Sequence, residues 1–329
     1  MTKKTRYFMA GSAAVLGVGL CTGLIAYYAG GFQPVSAAPV ANELRYVPAD
    51  SNVIAYADVR SIMDSEFRMS LKTAMPMHGK GQEEFRAKTG IDIERDIDYI
   101  VAAAAVTPEA GRRPLGGGLV VARGRFNDGL LETFAREHGG QVEEYKGKRL
   151  INSPIEENGH QVTLAFLELG LVAIGTKATV QQAIDAQLSS HSITANAEMM
   201  DIVSDIAGNN NAWAVGRFDA IATQANLPTE IASRMPPVKW FSAAGHVNGG
   251  ISGTLRAEAT DKESAELLRR QLSGALAFGE MVAKQDPKAG ALINSLQLSG
   301  TGKTVALSFV IPAELLAMIP QMAGEPVQK

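Results

Sequence analysis

Five histidines, one cysteine and twelve methionines bound the side-chain chemistry that this 329-residue chain can attempt. The densest group is Met75-Pro76-Met77-His78, with Met63 and Met69 upstream. Thioethers and an imidazole are soft donors that suit copper(I). The same methionines at helical spacing also read as apolar packing on a helix that Pro76 ends. That reading is preferred, because a few flexible thioethers and one histidine are a thin ligand set; Met75, Met77 and His78 stand as weak metal candidates, and no cofactor is expected. Asp92, Glu94, Asp96 and Asp98 alternate through residues 91–98. In an extended chain all four would point to one side, as a hard cation requires. The calcium-loop pattern fails at its sixth position, which is Ile97 and not glycine, so a solvated edge leading into a strand at Tyr99 is expected. Ser299-Gly-Thr-Gly-Lys-Thr304 lacks the first glycine of a phosphate loop, since position 297 is Gln. Strand-like flanks make it a hairpin turn.

Nucleophile signatures are missing as well. There is no Gly-x-Ser-x-Gly, no His-Glu-x-x-His, and no serine followed three residues later by lysine. His138 falls at a helix end beside Gly139, His160 in the turn Asn158-Gly159, His191 in a serine-rich loop, and His246 on a strand. Nothing local selects one of these, or His78, as a catalytic base. The pairs Glu83-Glu84, Glu143-Glu144 and Glu156-Glu157 read as solvated faces. Cys21, the sole cysteine, lies in an apolar N-terminal stretch, so disulfides, zinc–cysteine sites and thiol catalysis are excluded from the rest. No active site is expected.

The elements around these residues say where the chain goes. Lys3, Lys4 and Arg6 precede the first carboxylate, Glu43, and an uncharged run follows from Tyr7 to Asn42. Its apolar heart, Tyr7 to Ala29, is about 35 Å long as a helix, enough to cross a hydrocarbon core of about 30 Å. The basic flank stays in the cytoplasm, so the bulk of the chain is expected outside, held on membrane lipid by this helix. Tyr7 at one end and Tyr27 and Tyr28 at the other suit the two interfaces, and Gly19 and Gly23 have the small-residue spacing of self-associating membrane helices. The alternative is a cleaved signal: Val35-Ser36-Ala37 and Ser36-Ala37-Ala38 fit the cleavage pattern, giving a secreted or periplasmic chain that starts at Ala38. Leu20 before Cys21 argues against lipidation. The whole chain carries 31 basic and 34 acidic residues, net −3, which gives no electrostatic footprint for nucleic acid. Its 46% hydrophobic and 20% charged content is that of a globular protein.

Beyond the segment 1–29, a linker at 30–43 leads to a first half at 44–190, a helical connector at 191–210 and a second half at 211–329. Val53 to Val59 reads as a strand, and Ser61 as the cap of a helix running to Thr73. A helical stretch from Gln82 to Thr89 stops at Gly90, and Tyr99 to Val106 and Leu119 to Phe126 are paired strands. Asn127 caps a helix that ends at Gly139-Gly140. Strands follow at 141–151, 161–167 and 171–174, and Thr176 opens the helix carrying Val180, Ala183, Ile184 and Leu188. The order then recurs: residues 52–62 match 211–221 at an offset of 159, Val101–Ala105 matches Phe241–Gly245, and a strand at 251–259 leads into a helix at 262–283. Leu296 to Ser299 and Val305 to Ile311 form a hairpin, and Pro312 opens a last helix. The expected fold is α+β, two related halves of largely antiparallel sheet with helices covering one face, preceded by one N-terminal transmembrane helix.

Tyr46-Val-Pro-Ala-Asp50 before a strand resembles the opening of a loose group of exported bacterial proteins with one N-terminal membrane segment. Gly124-Arg-Phe126 before a helix, Glu144-Tyr-Lys-Gly147, and Ala165-Phe-Leu167 through Leu171–Gly175 are similar to its recurring elements. The group has no assigned chemistry, so the resemblance implies an anchored extracytoplasmic protein and carries over no site. The expected function is a non-enzymatic binding or structural protein of the envelope, a partner or accessory subunit of a membrane complex. The alternatives are a carrier or sensor of an apolar ligand such as a lipid, with alanine-rich strands lining its pocket, and an envelope hydrolase with a dispersed site.

Overall fold

The computed structural model describes residues 40–312, apart from 67, 70–85, 88–89, 106–117, 158–159, 209, 221–235 and 284–292. The expected membrane segment with Tyr7, Gly19, Gly23, Tyr27 and Tyr28, the weak metal candidates Met75, Met77 and His78, and the helix expected after Pro312 lie outside the described residues. No helix among the described residues is long and apolar enough to cross a membrane.

Runs of β-branched and small apolar residues bounded by turns produce twelve strands among the described residues. They are β1 (Val53–Ala57), β2 (Ile97–Ala104), β3 (Gly118–Gly124), β4 (Gln141–Tyr145), β5 (Lys148–Glu157) and β6 (His160–Glu168), then β7 (Leu171–Thr176), β8 (Ala212–Arg217), β9 (Val238–Val247), β10 (Gly250–Ala259), β11 (Gln297–Ser299) and β12 (Thr304–Pro312). All belong to one sheet, in the order β11-β12-β10-β9-β8-β1-β2-β3-β7-β6-β5-β4, and every neighbouring pair is antiparallel. The helices are α1 (Val40–Glu43), α2 (Val59–Met63), α3 (Ile93–Asp96), α4 (Asp128–Glu137), α5 (Lys177–Ser189), α6 (Ala197–Ala207) and α7 (Lys262–Ala283), with 3-10 turns at Leu44–Tyr46 and Ile193–Ala195. The fold is α+β on a largely antiparallel sheet.

The path of the first half repeats in the second. In each, three consecutive strands lie side by side, a helix follows the third, and the last strand returns to pair with that third strand: β1-β2-β3-β7 in one, β8-β9-β10-β12 in the other. The halves meet through β1 and β8, where Ala55 faces Ala214. These residues differ by 159, the offset read from the sequence, so a pseudo-twofold axis passes between them. The offset reaches back past the strands, since buried Leu44 and Val47 correspond to buried Val203 and Ile206. The 40–46 segment therefore stands where the second half has α6. Between β2 and β9 the register corrects the sequence reading by one residue: Ala102 opposes Ala55 and Ala243 opposes Ala214, so Ala102 matches Ala243. A slip of one residue moves every side chain to the other face.

Helices cover both faces of the first half, not one. The strand β1 reads Val-Ile-Ala-Tyr-Ala, with no polar side to give to water, and a sheet apolar on both sides must be covered on both. On one face Ile54, Val101, Val121 and Ala173 pack with Val180 and Ile184 of α5 and Met199, Val203 and Ile206 of α6. On the other, Ala57, Ile100, Ala122 and Val172 pack with Ile62 of α2, Ile91 and Leu131 of α4. In the second half α7 lays Ala265 and Leu268 on Ala259 and Val305. Helix starts follow local chemistry. Asn127 Oδ1 accepts from Leu130 N–H at 3.0 Å, Thr176 Oγ1 from Thr179 N–H at 3.2 Å, and Asn196 Oδ1 from Met199 N–H at 3.1 Å. Ser61 is not a cap. Asp58 Oδ1 accepts from the Ser61 N–H at 2.8 Å, which starts the helix earlier.

Gly124 closes β3, and a Cβ there would overlap the backbone carbonyl of Asp96. Gly129 sits in the exposed first turn of α4, where a Cβ meets only Asn127 Oδ1 at 3.6 Å. Gly124→Ala is expected to lower stability by about 2 kcal/mol or more. Gly129→Ala should raise it by about 0.5 kcal/mol. Urea unfolding midpoints of the two variants check the contrast.

Candidate functional site

The sheet end formed by the start of β2, the end of β3 and the turn between β6 and β7 gathers charged groups on both faces. Gly124 N–H donates to Gly170 O at 2.9 Å and Arg125 N–H to Asp96 O at 2.7 Å, which brings the three segments together. Arg123 turns to one face, and Arg125, just past the end of β3, turns to the other.

On the first face Arg123 grips the segment that leads in from the N-terminus. Its Nη2 donates to Glu43 Oε1 at 2.6 Å and its Nε to the same oxygen at 3.2 Å. Its Nη1 donates to Leu169 O at 3.2 Å. The Glu43 side chain is 2% exposed and that of Arg123 26%. A carboxylate so buried is tolerated only with a charged partner this close. Arg45 pairs with Glu168, and Tyr46 O–H donates to Glu168 Oε1 at 2.8 Å. Tyr56 stacks on Trp213 with ring centroids 5.7 Å apart and lies 5.9 Å from Tyr99. Burial, then the bond to Glu168, pushes the Tyr46 phenol up to about 12. Burial, then Glu43, does the same for Tyr99, to about 12. Tyr56 moves the same way, mainly through burial.

The motif Tyr46–Asp50 is the second half of this latch. Tyr46 and Val47 are buried, Ser51 N–H donates to Pro48 O at 3.1 Å to close a turn, and Ile193 N–H donates to Val47 O at 2.9 Å. The expected linker 30–43 overlaps α1 at Val40–Glu43, and Glu43 is built into the body.

On the second face the four alternating carboxylates do not share one side. Asp92 Oδ1 caps α3 by accepting from Glu94 N–H at 3.1 Å, and Asp96 Oδ2 accepts from Asp92 N–H at 2.8 Å, so the stretch is a helical turn and not an extended chain. Each finds its own arginine: Asp92 with Arg86 at 3.4 Å, Glu94 with Arg68 at 2.6 Å, Asp96 with Arg125 at 3.0 Å, and Asp98 Oδ1 with Arg60 Nε at 2.7 Å. The expected solvated edge is a fully paired network. Among the described residues no group of His, Cys, Asp and Glu could hold a metal ion.

Among the described residues His138, His191 and His246 stand on separate elements. His138 ends α4, 4.2 Å from the Phe134 ring with Nδ1 2.7 Å from Phe134 O. His191 is exposed, and His246 is buried within β9. The Ser299–Thr304 stretch is the expected hairpin turn, with positive φ at Gly300 and Gly302, and Arg269 Nη2 donates to Gly302 O at 3.1 Å. The small residues split between faces: Ala103 and Ala244 pack under α5 and α6, while Ala102, Ala55, Ala214 and Ala243 form a row on the other side. Sequence reasoning missed the latch, whose members come from residues 43, 45, 46, 99, 123 and 168. The available signal was Glu43 itself, the first charge after a long uncharged run and set beside residues that read as core.

Glu43→Gln removes the charge and leaves Arg123 facing a neutral amide. It should cost about 2 kcal/mol and open residues 40–46 to protease. Arg45→Gln, on an exposed pair, should cost less than about 1 kcal/mol. The phenols of Tyr46 and Tyr99 hold their protons more tightly in the folded protein than in the unfolded chain. Their contribution to stability is whole below pH 10 and is lost as pH rises through about 12. Denaturation midpoints should fall over that interval, with part of the tyrosine absorbance titrating late.

No protein-family model matches this chain, and no curated protein matches it. Among solved structures it is similar to one described as crystal form I of TP0453, at 10% identity and a TM-score of 0.47, over 86% of this chain and 98% of the other.

Proposed function

We propose that this chain is a non-enzymatic protein tethered to the outer face of the cytoplasmic membrane by its N-terminal helix, which binds other envelope proteins as an accessory subunit. The observation that supports it is the latch. The chain that would leave the membrane at Ala29 is fastened at Glu43, fourteen residues on, through a buried carboxylate held by Arg123, as suits a body held in place. The uncharged run from Tyr7 and the basic tip before it supply the tether. The repeated strand path supports descent of the two halves from one duplicated unit, which gives a partner a broad, double surface. The competing reading, a carrier of an apolar ligand such as a lipid, draws on the row of four alanines across the central strands.

The test is the intact mass of the native protein, extracted in mild detergent. A larger mass that resolves into a second polypeptide is expected, with this chain starting before Tyr7. Bound lipid of a few hundred daltons would instead favour the carrier. A mature start at Ala38 would overturn the tether, and a bare full-length monomer would overturn the accessory role.

A further inference from the structure

We propose that the latch turns the sheet end bearing the Leu169–Gly170 turn toward the lipid surface, so that Leu169 rests against the bilayer. This rests on the reading of Tyr7 to Ala29 as a retained membrane helix. From Ala29 the chain has ten residues, Gly30 to Pro39, before Val40. Ten residues reach about 36 Å fully extended, and a flexible stretch of that length spans about 17 Å on average. Val40 is one helical turn from Glu43, which Arg123 holds at the end of β3. The root of the tether is therefore fixed at one end of the sheet and kept within a short distance of the membrane.

The turn between β6 and β7 lies at that root. Glu168 accepts from Tyr46 and pairs with Arg45, and the next carbonyl, Leu169 O, accepts from Arg123. Between these two holds the Leu169 side chain is 93% exposed. A single exposed leucine is ordinary on a protein surface. One fixed between two contacts of a membrane tether is placed to meet lipid. The opposite end of β7 is about 20 Å away along six residues. There the start of α5 carries exposed Ala178.

Cys21 is the only cysteine, so a Cys21→Ser background permits single labels. Leu169→Cys and Ala178→Cys, each carrying an environment-sensitive fluorophore, are placed as full-length chains in phosphatidylcholine vesicles containing nitroxide-headgroup lipid. Quenching severalfold stronger at 169 than at 178 is expected. Adding Arg123→Gln should bring the two values together, and Arg45→Gln, at an exposed pair, should do so in part should the first variant fail to fold. Chains that float with the vesicles but quench equally at both sites, or more at 178, overturn the orientation alone. A contrast unchanged by both arginine variants overturns the role of the latch. Chains that do not float with vesicles overturn the tether and the orientation together.

Discussion

The ladder between β1 and β8 runs from Val53 opposite Gly216 to Ala57 opposite Ala212, and the two halves join nowhere else in the sheet. Its small residues suit the place. Ala55 and Ala214 face each other on the pseudo-twofold axis, with Ala102 and Ala243 to either side. On the opposite face the same ladder stacks Tyr56 on Trp213, so the aromatic centre of the main core takes one ring from each half. A break in this pairing would expose apolar surface on both halves at once. Next to β1 the chain also joins the connector, through Pro48 and Ser192 and through Val47 and Ile193.

Charge is distributed around β3 with the same economy. Arg123 and Arg125 leave the strand on opposite sides, one to a buried glutamate and the other to Asp96. The chain between them is Gly124, where two backbones come too close for a side chain. The Gly-Arg-Phe element thus has a physical meaning at each position: contact for the glycine, an ion pair for the arginine, and partial burial in the second core for Phe126. In the second half the pairs on α6 lie at the surface, Asp205 with Arg256 and Glu198 with Lys239.

Much of the strand order was legible because each strand is an apolar run closed by glycine or a polar turn, and two helix caps, Asn127 and Thr176, stand at the expected place. The offset of 159 was legible too, since it rests on local similarity. Register was not, and the match between Val101–Ala105 and Phe241–Gly245 slipped by one because alanine runs have no distinguishing side chains. The alternating acids from Asp92 to Asp98 misled for another reason. A period of two signals a strand only where the backbone is free to extend, and Asp92 captures the Glu94 N–H before it can. The second covered face follows from the all-apolar β1, where the order of strands and helices had suggested cover on one side. The latch lay beyond sequence reasoning because Glu43 and Arg123 stand 80 residues apart, and Arg45 and Glu168 123.

The seam between β1 and β8 also bears on how the chain acquires its fold. Pairings within each half join residues at most 62 positions apart, Gly250 with Pro312, but this ladder joins residues about 160 positions apart and must overcome the largest loss of chain entropy in the sheet. On chain entropy alone, the halves are expected to take shape before they dock. Until they dock, both carry a bare strand edge, Val53–Ala57 on one and Ala212–Arg217 on the other, each apolar through most of its length. During synthesis the first edge waits for the second to be made, and in that interval it is open to pairing with a neighbouring chain.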